Sequence, residues 1–210
     1  MPPGLVQMKK SIFFIDGFNL YHSLNNLKYF QYKWLDVKKF CSSLLTKEEV
    51  LQDVYFFTAY ATWNEKKVIR HKILLKALKS TGVKIVYGRF QEKTILCKNC
   101  NTEFTKYEEK KTDVNIAVHI LKTAFNNEFD NAYLLTGDSD LVPAIETLKA
   151  QFPNKKATVV IPIRGKAYHL KNTCDNHIKI KEKHLITCRF PNKFTLADGK
   201  EIHCPKRWIK

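Results

Sequence analysis

The chain predicts an α/β fold of three layers, α/β/α, with a mostly parallel sheet between two sets of helices. Two observations carry this expectation. Short apolar runs of strand length alternate with stretches of helical period along most of the sequence. Strands separated by helices in this way form a mostly parallel sheet covered on both faces. The composition agrees: 210 residues, 44% hydrophobic and 27% charged, suffice for one domain with a substantial core.

The first strand is expected over 11–16, followed by helices over 18–27 and 37–45. A strand over 50–59 leads to a helix over 63–78, where Val68, Leu74, Leu75 and Leu78 recur at helical spacing. Gly82 breaks that helix, and 83–87 is a short β-branched strand. Residues 88–109 interrupt the rhythm and read as an inserted hairpin. A helix over 113–125 follows, expected to bury Val114, Ala117, Val118 and Leu121. A strand over 131–136, a helix over 141–150, a strand over 157–163, a helix start near Lys166 and a closing segment 177–180 complete the series. Crossovers between parallel strands are right-handed.

The acidic residues supply the functional clue. Ala132-Tyr133-Leu134-Leu135-Thr136 is followed by Gly137, Asp138, Ser139 and Asp140, and Leu141, Ile145 and Leu148 then open a helical period. Asp138 and Asp140 thus fall at the carboxyl end of a parallel strand, the edge where open α/β sheets bind ligands. Capping the next helix needs one oxygen acceptor, from Asp138 or Ser139. A second carboxylate adds repulsion that a divalent cation neutralises. Alone, this segment reads as a cap beside a solvated Asp. Residues 11–22 repeat the layout, however, with Asp16 and Gly17 after an apolar run, and Asp113 opens the helix over 113–125. Strand ends and helix starts converge at one sheet edge, so Asp16, Asp113, Asp138 and Asp140 are expected in one cleft, where they demand cations.

Three ordered stretches resemble the NYN-domain family, in the LabA/DUF88-like branch of the PIN-like nuclease superfamily. They are Phe14-Ile15-Asp16-Gly17-Phe18-Asn19-Leu20-Tyr21, Lys111-Thr112-Asp113-Val114-Asn115-Ile116-Ala117-Val118 and Leu135-Thr136-Gly137-Asp138-Ser139-Asp140-Leu141-Val142-Pro143-Ala144. The resemblance implies a PIN-like fold over 10–182 and Mg- or Mn-dependent cleavage of RNA, leaving a 5′-phosphate and a 3′-hydroxyl. It gives Asp16, Asp113, Asp138 and Asp140 as catalytic, metal-binding acids, with Asn19 and Ser139 as polar supports. Family members often carry a second acid where this chain has His119. That residue could be a neutral metal ligand, a phosphate contact or a polar residue lining the cleft. It keeps open an alternative, a non-catalytic RNA-binding or regulatory scaffold with a degenerate site. A haloacid-dehalogenase phosphatase is excluded by Phe18, which stands where its general acid belongs. A Rossmann nucleotide binder is excluded by the lack of Gly-x-Gly-x-x-Gly after the first strand.

Thirty-six basic residues against 20 acidic give a net charge of +16, which favours polyanions and salt-sensitive binding. Candidate basic stretches are 66–72, 164–171 and 179–183. Phe18, Tyr21, Tyr29, Phe30, Tyr32 and Trp34 could offer stacking faces to unpaired bases, so single-stranded RNA is the expected partner. The plainer reading leaves most Lys on solvated helix faces and most aromatics in the core. No apolar run approaches the roughly 18 residues of a membrane span. The amino-terminal residues lack a secretory pattern, so a cytoplasmic location with reduced thiols is expected.

Cys97-Lys98-Asn99-Cys100 turns the inserted hairpin, and this spacing can aim two thiolates at one zinc. Structural zinc takes four ligands. The missing ones are left to Cys174, Cys188, Cys204, a histidine, or a second copy of the chain in a homodimer; a redox disulfide is the other option. Residues 183–210 read as a basic extension with a small hairpin at Asp198-Gly199 and with Trp208 packing back on the domain.

Overall fold

The computed structural model describes residues 7–209. Residues 1–6, on which the expectation about secretion rests, lie outside the described residues. The central sheet uses β1 (Lys9–Asp16), β2 (Glu49–Thr58), β3 (Lys84–Tyr87), β6 (Asn131–Leu135), β7 (Lys156–Ile161) and β8 (Asn176–Lys179). Their order is β3-β2-β1-β6-β7-β8, and every pairing is parallel. Side chains alternate across the sheet. Phe13 and Ile15 enter one core with Tyr133, Leu135 and Val160, whereas Ile12 and Phe14 enter the other with Leu134, Val159 and Ile161. Burial on both faces explains why these strands read as continuous apolar runs.

The first core is covered by α1 (Gly17–Ser23), α2 (Val37–Leu44), α3 (Glu65–Ser80) and α7 (Glu182–Ile186). The second is covered by α4 (Thr112–Phe125), α5 (Val142–Gln151) and α6 (Tyr168–Thr173). This is the expected α/β/α arrangement. Residues 88–109 form the antiparallel hairpin β4 (Arg89–Leu96) and β5 (Glu103–Lys110), separate from the central sheet.

Two expectations need correction. α1 ends at Ser23 and not at 27, leaving Leu27 97% exposed. Asn26 stops it: its side-chain oxygen accepts the Lys28 N–H at 3.0 Å, a local bond that competes with the helix. The face of α4 also differs, since Ile116, Ile120, Thr123 and Ala124 are buried while Val114 and Val118 are exposed. This helix carries two apolar stripes. Buried Thr112 at its start selects the stripe at 112, 116 and 120, one turn apart at each step.

The carboxyl-terminal segment is built into the first core. β9 (Lys193–Thr195) and β10 (Glu201–His203) pair through the Asp198-Gly199 turn, where Gly199 adopts φ 78°. Trp34 packs on Trp208 with ring centres 6.4 Å apart, and its Nε1–H donates to the Pro191 carbonyl at 2.8 Å. Arg189 donates to the carbonyls of Gln31 and Trp208 at 3.1 Å each, tying both ends of this layer.

Candidate functional site

Backbone register fixes Asp16 first. Ile15 faces Leu135 across β1 and β6, which places Asp16 beside Thr136 at the carboxyl edge of the sheet. One Asp16 oxygen caps α1, accepting the N–H groups of Phe18 at 3.0 Å and Asn19 at 2.9 Å. The other accepts the Asn19 side-chain amide and the Thr136 hydroxyl, the latter at 3.1 Å. A carboxylate offers about four acceptor positions; here all are filled. Burial raises the Asp16 pKa, and these bonds oppose the rise.

The same bonds set the next turn. Asn19 Oδ1 accepts the Gly137 N–H at 3.2 Å, and Thr136 Oγ1 accepts the Asp138 N–H at 3.1 Å. Asp138 then caps the short 3-10 turn Ser139–Leu141, accepting the Asp140 N–H at 3.0 Å. Of the two capping candidates, Asp138 caps this turn, while the helix that follows, α5, starts after Leu141 without a side-chain cap. The glycines of both motifs are steric requirements. A Cβ on Gly17 would stand 2.7 Å from the Phe57 carbonyl oxygen, and one on Gly137 2.7 Å from that of Lys166.

Asp113 is half-buried in the first turn of α4. Burial raises its pKa, and the charges of Asp138, Asp16 and Asp140 raise it further. The structure thus brings the four acids into one electrostatic field. It also adds a fifth, Glu109, at the base of the hairpin. Burial pushes the Glu109 carboxyl up to about 7, with help from Asp16 and Asp113 and against its bond from the Thr112 hydroxyl. The pairing of Arg89 with Lys110, which the fold sets, places Glu109 at the base of the hairpin.

An all-carboxylate donor set suits a hard divalent cation such as Mg or Mn. The acids fit such an ion in charge and chemistry. Among the described residues, no three His, Cys, Asp or Glu side chains are grouped as ligands of a metal ion. Asp138 uses one oxygen to accept the Asp140 N–H, and Asp140 is exposed. Ser139 is exposed in the 3-10 turn beside Asp138, and among the described residues its hydroxyl makes no hydrogen bond.

His119 is outside this cluster. Its Nδ1–H donates to the Asn115 carbonyl at 2.7 Å, and its ring packs 5.4 Å from Tyr55 and 5.3 Å from Phe57. It covers the sheet. The thiols of Cys97 and Cys100 are free at the hairpin turn, and hydrogen bonds from Thr102 lower the Cys100 pKa. Cys174, Cys188 and Cys204 are buried in the two cores and do not complete a zinc site at the turn.

Two depressions adjoin the acids. One, of about 390 Å³, is bounded by α1, α3, the hairpin base and the tail, and carries Lys67, Arg70 and Glu109. The other, of about 440 Å³, is lined by Asn19, His22, Gly137, Arg164 and Lys166. Two of the three basic stretches therefore border the acidic edge.

The family model for the NYN domain matches residues 10–181. The chain is 22% identical to 6-hydroxy-3-succinoylpyridine 3-monooxygenase HspA of Pseudomonas putida (strain DSM 28022 / S16), over 93% of this chain and 74% of that protein. A solved structure of a protein of unknown function from Vibrio parahaemolyticus RIMD 2210633 shares the fold. Its TM-score is 0.59 at 20% identity, covering 89% of this chain and all of the other.

Proposed function

The chain belongs to the NYN-domain family of the PIN-like nuclease superfamily, with RNA-related function, and from that premise we propose a metal-dependent endoribonuclease acting on single-stranded RNA. One observation carries the reading. Asp113, Asp138, Asp140 and Glu109 share a field at the carboxyl edge, and Lys67, Arg70, Arg164 and Lys166 line the depressions that adjoin it. Acids that hold a cation and bases that hold phosphate are the two halves of a phosphodiester site.

Asp113, Asp138 and Asp140 are the residues that would hold Mg or Mn, which supplies an activated water and steadies the departing oxygen. Asp16 is a positioning residue: through Asn19 and Thr136 it holds the turn that presents Asp138 and Asp140. Arg164 and Lys166 face the RNA backbone. Glu109, with a pKa of about 7, can hold or release a proton beside the cluster near neutral pH.

A single-stranded oligoribonucleotide incubated with Mn²⁺, with Mg²⁺ or with chelator tests the reading. Cleavage that requires one of the metals is expected. His119, which stands where family members often carry an acid and packs on Tyr55 and Phe57, favours a second reading, an RNA-binding scaffold without turnover. Binding without cleavage in either metal would select it.

A further inference from the structure

The cavity of about 390 Å³ has a composition that the acidic edge does not explain. Its size suits a small ligand. Phe18, Tyr21, Trp63, Phe90 and Trp208 contribute to its walls. Trp63 and Phe90 are fixed edge to face at 4.7 Å, Phe90 and Phe18 at 5.3 Å, and Tyr107 stacks behind Trp63 at 3.8 Å. The hairpin thus serves as a preformed aromatic wall.

The charges on this wall are unbalanced. Lys33 is only 4% exposed, yet its ammonium has no carboxylate partner. It donates to Asn25 Oδ1 at 3.0 Å and lies 3.6 Å and 4.3 Å from the ring centres of Tyr21 and Phe30. Burial lowers its pKa to about 8, and Arg207, Arg70 and Lys67 add to the fall. No ion pair among the described residues involves Lys33, Lys67 or Arg70. Buried charge without a partner is costly. A group that stacks on the aromatics and brings an anion to Lys33 would answer this deficit.

We propose that this cavity binds a planar aromatic ring bearing an anionic group, with the ring among Phe18, Trp63 and Phe90 and the anion at Lys33 and Arg70. Two sources share that chemistry: a nucleotide, in which case the inference rests on the RNA reading, and a free aromatic carboxylate, in which case it does not. Glu109 lines the cavity and lies in the field of Asp16 and Asp113, so a bound ring lies next to the acidic cluster.

Calorimetric titration of the full chain tests this with two matched pairs: uridine 5′-monophosphate against uridine, and pyridine-3-carboxylate against its carboxamide. At least one anion should bind about tenfold tighter than its neutral partner, and which one does so identifies the source. Lys33→Met and the half-exposed Arg70→Gln should each weaken it by about tenfold. Thermal melts followed by circular dichroism report whether each variant folds, and Arg70→Gln keeps the test informative if Lys33→Met does not. Anions that bind no better than their neutral partners, or a folded Arg70→Gln that binds like the wild type, would overturn the proposal.

Discussion

Two acids mark opposite edges of the sheet and do different work. Asp16 at the carboxyl edge organises the turn that carries Asp138 and Asp140. Glu49 at the amino edge ties β1, β2 and β6 together, accepting from the Ser11 hydroxyl at 2.8 Å, the Asn131 amide at 2.6 Å and the Tyr133 hydroxyl at 2.9 Å. Burial alone would raise the Glu49 pKa, but these bonds and those from Thr46 outweigh it and hold it at about 2. A carboxylate with a depressed folded pKa contributes stability that is complete above its unfolded value and lost as pH falls through the folded one. Glu49→Gln should therefore be less stable than the wild type at neutral pH, and the gap should close as pH falls from 4.5 through about 2. Denaturant titrations across that range check it; a gap independent of pH contradicts the assignment. Nothing in the sequence marked Glu49, because its donors come from two other strands and the loop before β2 and assemble only when the register is set.

Elements were legible where one pattern dominated. The runs at 12–15 and 132–135 are apolar throughout, and only a strand buried on both faces uses such a run, so β1 and β6 could be read directly. The strand–Asp–Gly layout gave the carboxyl edge and with it Asp16 and Asp138. α4 was misread because Val114 and Val118 compete with Ile116 and Ile120 for the core, and only the docking of Thr112 decides between them. Ile120→Ala should cost about 2–4 kcal/mol by leaving a cavity, whereas Val118→Ala should change stability by about 0.5 kcal/mol or less. Equal losses would put the helix back in the expected rotation. Glu109 escaped because 88–109 was set apart as an insertion, although its base returns to the site. At its tip, Cys97 and Cys100 have the spacing to supply two of the four ligands of a zinc ion, and we propose that a second copy supplies the others. Protein purified without chelator should carry about one zinc per two chains and run as a dimer that Cys97→Ser dissociates. A zinc-free monomer with both thiols open to alkylation contradicts this.

At the scale of the molecule, one edge gathers acids from β1, β5, the turn after β6 and the start of α4, while Lys67, Arg70, Arg164 and Lys166 reach the depressions beside it. A net charge of +16 would keep RNA near a cluster of acids that alone would repel it. Tail and hairpin complete one of the depressions through Trp208 and Phe90, so segments that looked peripheral in the sequence shape the site. The charge excess was legible as an attraction to polyanions; its placement was not, since it depends on which loops the topology brings together. The most direct measurement is cleavage of a labelled single-stranded RNA by wild type and Asp138→Asn in Mn²⁺, with binding followed in parallel over a salt series. The wild type should cleave, and the variant should not. Both should bind RNA with the same steep dependence on salt, because binding rests on counterion release by the basic residues and not on the acids. Equal cleavage by the two proteins would contradict the account.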